Sequence, residues 1–264
     1  MKICVAQTKP VKGDIATNII HHKKLIGLAV AANADMIFFP ELSITGYEPE
    51  LAKELATDKD DIQFDEFQDL SDDKNITIGI GMPVVARAGT STEKQETGNS
   101  KNEANQTGSG VMIGMIIFQP GRARQVYCKQ YLHADENPYF IQGNNQVYLS
   151  ADEDKLGLSI CYEISVPEHS ENVYRNGATI YISSVAKTAE GMKKAAEILP
   201  AMARNYSMTV LLANCVGHCD NFDSVGMSSV WNNKGLLLGQ LDDRNEGILV
   251  LDTVTGELVD QLIN

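Results

Sequence analysis

Apolar residues recur along the chain with two different spacings, and these spacings predict an alternation of strands and helices. Residues 2–7 and 35–39 are short apolar runs typical of buried strands, and Pro40 ends the second run. Between them, residues 14–32 carry apolar side chains along one broad helical face, and Asp14 is a candidate N-cap. The order strand, helix, strand indicates a βαβ unit and therefore an α/β fold.

The same two patterns continue along the chain and predict one domain over residues 1–264. Predicted helices are Asp14–Ala32, Glu48–Ala56, Asp65–Asp73, Pro167–Asn176 and Glu190–Tyr206. Predicted strands are Lys2–Gln7, Asp35–Phe39, Ile76–Val85, Val111–Gln119, Arg124–Lys129, Leu156–Cys161, Ala178–Ser183, Thr209–Asn214, Ser224–Asn232, Gly235–Leu241 and Gly247–Leu251. Residues 88–110 are polar and lack large apolar side chains, which predicts a flexible loop.

Charge and composition then narrow the classes of function. Lys plus Arg number 22 against 35 for Asp plus Glu, and the formal net charge is -13. This net negative charge disfavours nucleic acid and anionic membrane surfaces as partners. The longest apolar run, Val111–Phe118, is far shorter than the ~20 residues that span a bilayer, and the N-terminus does not resemble a secretory signal. The five cysteines are few and odd in number, so we expect a reducing, cytoplasmic location.

Three reactive side chains lie where predicted strands end. Glu41 follows Pro40, and apolar surroundings there would raise its carboxyl pKa, as a general base requires. Cys161 ends a strand before a predicted turn and helix, a place that exposes a nucleophile and favours its thiolate. Lys129 ends a third strand, where its cation would stabilise a thiolate and an oxyanion. Taken singly, each has an ordinary alternative: a solvated acid, a buried filler cysteine or a surface lysine.

The ordered set of motifs is more specific than any one residue. Phe-Pro-Glu-Leu-x-x-x-Gly-Tyr around Glu41, Lys129 after a strand, and Ile-Cys-Tyr-Glu around Cys161 together resemble the carbon–nitrogen hydrolase (nitrilase) superfamily. The resemblance covers nearly the whole chain and includes Ala6-Gln7, Gly79–Pro83 and Val166-Pro167-Glu168. It implies a four-layer α-β-β-α sandwich, a Glu41, Lys129 and Cys161 catalytic triad, and a homodimer.

The resemblance also implies a reaction, the cleavage of a non-peptide C–N bond in a small amide or N-carbamoyl compound. Glu41 takes the proton of Cys161, the thiolate attacks the carbonyl, and water hydrolyses the thioester. Lys129 and the backbone N–H of Tyr162 hold the oxyanion, and Glu136 has a supporting role. This chemistry requires no cofactor and no metal ion.

Two alternatives to hydrolysis stay open. One is transfer of the acyl group to an amine, although membrane-linked acyltransferase relatives carry transmembrane segments that we do not expect here. The other is a binding protein without catalysis, against which the complete set of Glu41, Lys129 and Cys161 argues.

Several further features bear on the pocket. The motif Cys-Val-Gly-His-Cys at residues 215–219 has no second ligand pair for zinc, so we interpret it as a pocket-lining loop. The loops Ile141–Gln146 and Val185–Gly191 are expected to select the substrate. Many relatives carry an Arg where this chain has Ile164-Ser165, and the tract 88–110 is longer than the turn expected there.

Overall fold

The computed structural model describes residues 1–86, 110–151 and 153–263. Its α-helices are α1 (Ile15–Ala31), α2 (Ala52–Leu55), α3 (Asp65–Lys74), α4 (Pro167–Arg175) and α5 (Ala189–Tyr206). Its strands are β1 (Lys2–Gln7), β2 (Met36–Phe38), β3 (Thr77–Val85), β4 (Val111–Phe118), β5 (Gln125–Cys128), β6 (Tyr148–Ala151), β7 (Asp154–Ile160), β8 (Ile180–Val185), β9 (Thr209–Asn214), β10 (Val216–Cys219), β11 (Phe222–Val225), β12 (Ser229–Trp231), β13 (Leu237–Gln240), β14 (Glu246–Asp252) and β15 (Leu258–Ile263).

The two long helices start at side-chain caps. The Asp14 carboxylate accepts hydrogen bonds from the backbone N–H of Thr17 at 3.0 Å and from its hydroxyl at 2.8 Å. This confirms Asp14 as the N-cap of α1. At the start of α5 the hydroxyl of Thr188 accepts from the backbone N–H of Gly191 at 3.1 Å. Each cap satisfies a backbone donor that the helix itself leaves unpaired.

The described strands form two large sheets and one small hairpin. The first sheet has the order β15-β14-β1-β2-β3-β4-β5, and the second has the order β13-β12-β9-β8-β7-β6. Strands β1, β2 and β3 are parallel to one another, as are β7, β8 and β9. Parallel strands need crossover helices, which explains the helical segments found between them. The hairpin of β10 and β11 stands apart from both sheets.

Packing of the sheets produces four layers. Ile3 and Val5 of β1 belong to the cluster between the sheets, whereas Cys4 and Ala6 belong to the cluster beneath α1 and α3. In the second sheet, inner-face residues such as Leu211 pack in the central cluster, and α4 and α5 cover the opposite face. Because both faces are buried, the central strands are continuously apolar in sequence. The fold is an α-β-β-α sandwich, as expected.

The prediction of one strand over Ser224–Asn232 is wrong. The segment divides into β11 and β12, which belong to different sheets, because Gly226 and Met227 adopt φ angles of +57° and +59° between them. The sequence patterns also did not predict β6, β10 and β15. Strands β6 and β15 lie at sheet edges, where solvent faces the chain and the apolar pattern is weak.

Two other expectations concern the surface of the molecule. The predicted loop over 88–110 lies outside the described residues except for residue 110. Among the residues that the structure describes, no helix combines the length and apolar character needed to cross a membrane.

Candidate active site

Glu41 lies in a tight turn that follows the end of β2. Leu42, the next residue, has a left-handed φ of +50°, and the turn packs directly against β3 at Gly81. A Cβ at Gly81 would lie 2.3 Å from the carbonyl oxygen of Pro40 and 2.4 Å from the nitrogen of Leu42. Gly81 also accepts the backbone N–H of Ile44 at 3.0 Å. The glycine therefore permits the close approach that positions Glu41.

Lys129 is the residue that follows β5, and its side chain is fully buried. Its backbone N–H donates to the carbonyl of Ile113 at 2.9 Å, and its own carbonyl accepts from Gly143 at 2.7 Å. Its Nζ donates to Oε1 of Glu41 at 2.8 Å and to Oε1 of Glu136 at 2.6 Å. The structure thus brings three of the sequence-predicted residues into direct contact.

Glu136 closes this cluster on a short 3-10 helix, Ala134–Glu136. Its Oε1 also accepts the hydroxyl of Tyr47 at 2.9 Å, and its Oε2 accepts the backbone N–H of His133 at 2.7 Å. Both oxygens are therefore engaged, which fixes the carboxylate beside Lys129. The sequence analysis assigned no function to Tyr47, although it stands at the end of the motif that contains Glu41.

Cys161 begins a 3-10 helix, Cys161–Ser165, with a left-handed φ of +47°. The prediction that this residue ends the strand is wrong, because β7 stops at Ile160 and the chain turns sharply there. Such a turn exposes the side chain of a nucleophile above a sheet. The Sγ atom lies 3.9 Å from the carbonyl oxygen of Ala186.

Burial and charge set the protonation of the cluster. Burial raises the pKa of Glu41, and Glu136 raises it further, while Lys129 and the Cys161 thiol act in the opposite direction. Burial by itself would lower the pKa of Lys129, but Glu41, Cys161 and Glu136 together outweigh it, and the pKa is raised. Lys129 therefore carries its charge at neutral pH.

The cysteine thiol is protonated at neutral pH. Burial raises the pKa of Cys161 to about 11, and Glu41 adds to this, while Lys187 and Lys129 oppose it. Loss of hydration therefore outweighs the two lysines, and the effect of the helix N-terminus on the thiolate stays a prediction. Loss of the thiol proton therefore requires a base, and Glu41 is placed for it. Its Oε2 is buried without a nitrogen or oxygen donor among the described residues, and its carboxylate interacts with the Cys161 thiol.

Glu163 connects the turn of Cys161 to the segment after Lys129. Its Oε2 accepts the backbone N–H of Ile160 and the hydroxyl of Tyr127, both at 2.6 Å. Its Oε1 accepts the backbone N–H of Gln130 at 2.6 Å. Burial raises the pKa of Glu163 to about 7, against the lowering effect of these donors. Sequence analysis noted Glu163 in the cysteine motif but missed this bridging position.

A cavity of about 400 Å³ opens above the Sγ atom of Cys161. It is lined by Tyr47, Pro49, His133, Asp135, Glu136, Tyr139, Cys161, Tyr162, Ala186, Lys187, Thr188, Gly191, Asp220, Asn221 and Phe222. The predicted loop 185–191 contributes to this lining, whereas residues 141–146 do not. The stretch 133–139 and the turn between β10 and β11 occupy the remaining walls.

The motif at residues 215–219 lies beside this cavity without lining it. Cys215 and Cys219 are buried, whereas His218 is exposed and lies 3.2 Å from Asp223. The interpretation of this motif as a pocket-lining loop is therefore wrong, and the residues just after it fill that place. Within the described ranges, no group of three or more His, Cys, Asp or Glu side chains is arranged to hold a metal ion.

Comparison with known proteins agrees with the fold. The carbon-nitrogen hydrolase family model matches residues 2–260, and the chain belongs to that family. The fold is shared with an amidase from Nesterenkonia sp. AN1 solved with butyramide, at a TM-score of 0.78, 20% identity, and coverage of 96% of this chain and 90% of that one.

Two curated relatives show the range of the family. The glutamine-dependent NAD(+) synthetase of Acinetobacter baylyi is 26% identical over 243 residues, covering 89% of this chain and 40% of the synthetase. This chain thus spans well under half the length of that relative. A Staphylococcus aureus protein named "Hydrolase in agr operon" is 23% identical over 266 residues, covering 100% of this chain and 95% of that protein.

Proposed function

We propose that the protein hydrolyses a small linear amide or N-carbamoyl compound through a thioester on Cys161. The observation that carries the proposal is the pairing of a protonated thiol with a buried carboxylate that interacts with it. Oε1 of Glu41 is held by Lys129, no nitrogen or oxygen donor of a described residue reaches Oε2, and the carboxylate interacts with the Cys161 thiol. Glu41 is therefore the candidate general base, with Cys161 as the nucleophile.

In the first half of the reaction, Glu41 takes the thiol proton as Sγ attacks the carbonyl carbon. The negative charge that develops on the carbonyl oxygen is stabilised by Lys129 and by the backbone N–H of Tyr162. Ammonia or an amine leaves with the proton from Glu41, and the acyl group stays on Sγ. Lys129 needs no proton transfer of its own, since its charge is maintained by Glu41 and Glu136.

In the second half, water replaces the leaving group. Glu41 takes a proton from the water as it attacks the thioester, and the returning proton regenerates the Cys161 thiol. Glu136 supports both halves by holding Lys129 through a 2.6 Å hydrogen bond, itself fixed by Tyr47 and His133. Glu41 therefore acts as the base in both half-reactions without changing its position.

The cavity favours a small substrate. Its volume of about 400 Å³ and its mixture of aromatic and charged walls suit a short acyl chain bearing a polar group. The amidase with the same fold was solved with butyramide, and the synthetase relative is glutamine-dependent. Butyramide and glutamine are therefore the first two amides to examine.

The test is ammonia release from butyramide, glutamine, N-carbamoyl compounds and nitriles, with Cys161→Ala beside the wild type. Cys128→Ala is the matched control, because Cys128 is buried outside the cavity. We expect release that Cys161→Ala abolishes and Cys128→Ala retains. Adding an amine acceptor tests acyl transfer, since a new amide product in place of the acid would replace hydrolysis as the function. If no compound reacts in a Cys161-dependent manner, the catalytic proposal is wrong.

The homodimer and the cytoplasmic location stay predictions. Light scattering on the purified protein measures the mass in solution, and a mass near 28.8 kDa would contradict pairing. Cell fractionation with an antibody to the chain tests the location.

A further inference from the structure

Two cysteines that the proposed reaction does not use lie side by side beneath the cavity wall. Cys215 follows β9 directly, Cys219 is the last residue of β10, and their sulfur atoms are 3.6 Å apart. Each is only 1% exposed. The two sulfur atoms are thus in van der Waals contact, and a disulfide would require them to approach to about 2 Å.

The pair packs against residues of the candidate active site. With Ala186 it forms a small apolar cluster, and Tyr47 and Phe222 pack on that cluster from the cavity side. The carbonyl of Ala186 faces Sγ of Cys161, and the Tyr47 hydroxyl donates to Glu136. Tyr47 and Phe222 are half-buried, so they separate the cysteines from the cavity by a single layer of side chains.

The backbone of Cys215 is held by three hydrogen bonds. Its backbone N–H donates to the side chain of Asn214 at 3.0 Å. Its carbonyl accepts from the hydroxyl of Ser224 and from the backbone N–H of Gly226, both at 2.8 Å. Between the two cysteines, Gly217 has a φ of +93°, a conformation that glycine adopts without strain.

The two thiols differ in reactivity. The hydrogen bond between the two sulfur atoms lowers the pKa of Cys215 and raises the pKa of Cys219. Cys215 is thus the better thiolate, and thiolates rather than thiols react with peroxides. Cys219 is then placed to resolve the oxidised sulfur.

We propose that Cys215 and Cys219 form a dithiol that a hydroperoxide oxidises to an intramolecular disulfide behind the cavity wall. With hydrogen peroxide, the sulfur of Cys215 attacks the O–O bond, becomes a sulfenic acid and releases one water. The thiol of Cys219 then displaces the hydroxyl group, which leaves as a second water. The two thiols lose two electrons and two protons, and the peroxide is reduced to two waters.

The test is peptide mass mapping of the wild-type protein after hydrogen peroxide and alkylation without reductant. Trypsin releases residues 205–234, which contain these two cysteines and no other, while Cys161 lies in a separate peptide, residues 156–175. We expect residues 205–234 to lose two hydrogen masses and to take no alkyl group, until dithiothreitol restores alkylation at both sites.

Other outcomes of the mapping would overturn the proposal. These are alkylation of both cysteines after peroxide, sulfinic acids at either one, or a cross-link between residues 205–234 and the peptide of Cys161. Cys219→Ser must abolish the loss of two hydrogen masses, whereas Cys128→Ser, which removes a buried cysteine elsewhere, must leave it unchanged. The mapping needs no enzymatic activity and no folded variant to give its main result.

A consequence for catalysis rests on the proposed function. Drawing the sulfur atoms together moves the cluster that supports Ala186 and Tyr47, so amide hydrolysis should fall on oxidation and recover with dithiothreitol. Cys219→Ser should lack this reversible component, while direct oxidation of Cys161 would persist in it. If the mass map shows the disulfide but the protein hydrolyses no amide before oxidation, only the proposed function is refuted. If the protein hydrolyses an amide but forms no disulfide, only the dithiol proposal is refuted.

Discussion

The carboxylate of Glu163 accepts a 2.6 Å hydrogen bond from the backbone N–H of Gln130. Gln130 follows the lysine of the site, and Glu163 lies two residues after the cysteine, so this bond joins the two segments that carry them. The same carboxylate accepts the N–H of Ile160, immediately before the cysteine. We therefore expect Glu163 to position the segment of Cys161 relative to the segment of Lys129.

Glu163→Gln should loosen this connection. An amide offers one acceptor oxygen, and its NH₂ group would face a backbone donor, leaving a buried group unsatisfied at a cost of about 1–3 kcal/mol. We expect ammonia release to fall about 100-fold through kcat, because misplacement of catalytic groups is costly. Urea denaturation and steady-state kinetics measure the two effects. Glu168→Gln, at an exposed site on α4, is the control, and equal effects of both variants would contradict the positioning role.

Lys129→Met should be the most destabilising single change at the site. It leaves Glu41 and Glu136 buried without their shared cation, and removing one partner of a buried pair costs about 3–5 kcal/mol. The free energy of unfolding at neutral pH measures this loss. Lys23→Met breaks the exposed pair with Glu66 and should cost less than about 1 kcal/mol. If Lys129→Met lowered the free energy of unfolding by a similarly small amount, Glu41 and Glu136 would take up protons without a cost in stability.

The reactivity of Cys161 should rise steeply with pH. Since burial raises its pKa to about 11, the rate of alkylation by iodoacetamide should increase about tenfold per pH unit from neutral pH upward. A plateau reached near neutral pH would show a preformed thiolate instead.

Lys187→Met tests the electrostatic part of this account. Lys187 lowers the pKa of Cys161, so its removal should raise that pKa and slow alkylation at a fixed pH. Lys193→Met removes an exposed cation from α5 and should leave the rate of alkylation unchanged. Equal rates for all three proteins would mean that Lys187 has no influence on the thiol.

His22 should make the protein less stable in acid. Its Nδ1 donates to the carbonyl of Asn18 and its Nε2 accepts from the hydroxyl of Ser43, in the turn of Glu41, so the buried ring is neutral. Burial lowers its pKa from 6.5 to about 3. Between these values the unfolded chain binds more protons than the native state, so the free energy of unfolding falls as pH falls.

Urea denaturation across this pH range measures the slope. His22→Gln should flatten it, since an amide takes up no proton there, whereas His218→Gln, at an exposed site, should not. An unchanged slope in His22→Gln would assign the acid sensitivity to other groups.

Much of the fold follows from local sequence. The apolar runs of β1, β3 and β9 and the helical spacing of α1 predict elements close to those observed, because strands buried on both faces and amphipathic helices have distinct spacings. The division between β11 and β12 could not be predicted from local sequence, because the left-handed φ of Met227 depends on the two sheets that the chain must join.

The candidate site likewise combines features that the sequence predicts with features that it does not. Motifs that contain Glu41, Lys129 and Cys161 identify these side chains from sequence alone, and Glu136 follows from the resemblance. The contacts of Glu163, the hydroxyl of Tyr47 on Glu136, and the pairing of Cys215 with Cys219 are absent from any local pattern. The wall of the cavity also differs from prediction, since residues 133–139 contribute where residues 141–146 were expected.

The sequence by itself therefore determined the family and the sandwich, and it predicted which side chains are reactive. Tertiary structure decided which oxygen of Glu41 contacts Lys129, that burial raises the pKa of the Cys161 thiol, and that two further cysteines lie next to each other. The physical reason is that spacing and composition report which residues are buried, whereas pKa values and hydrogen bonds depend on groups that are distant in sequence and close in space.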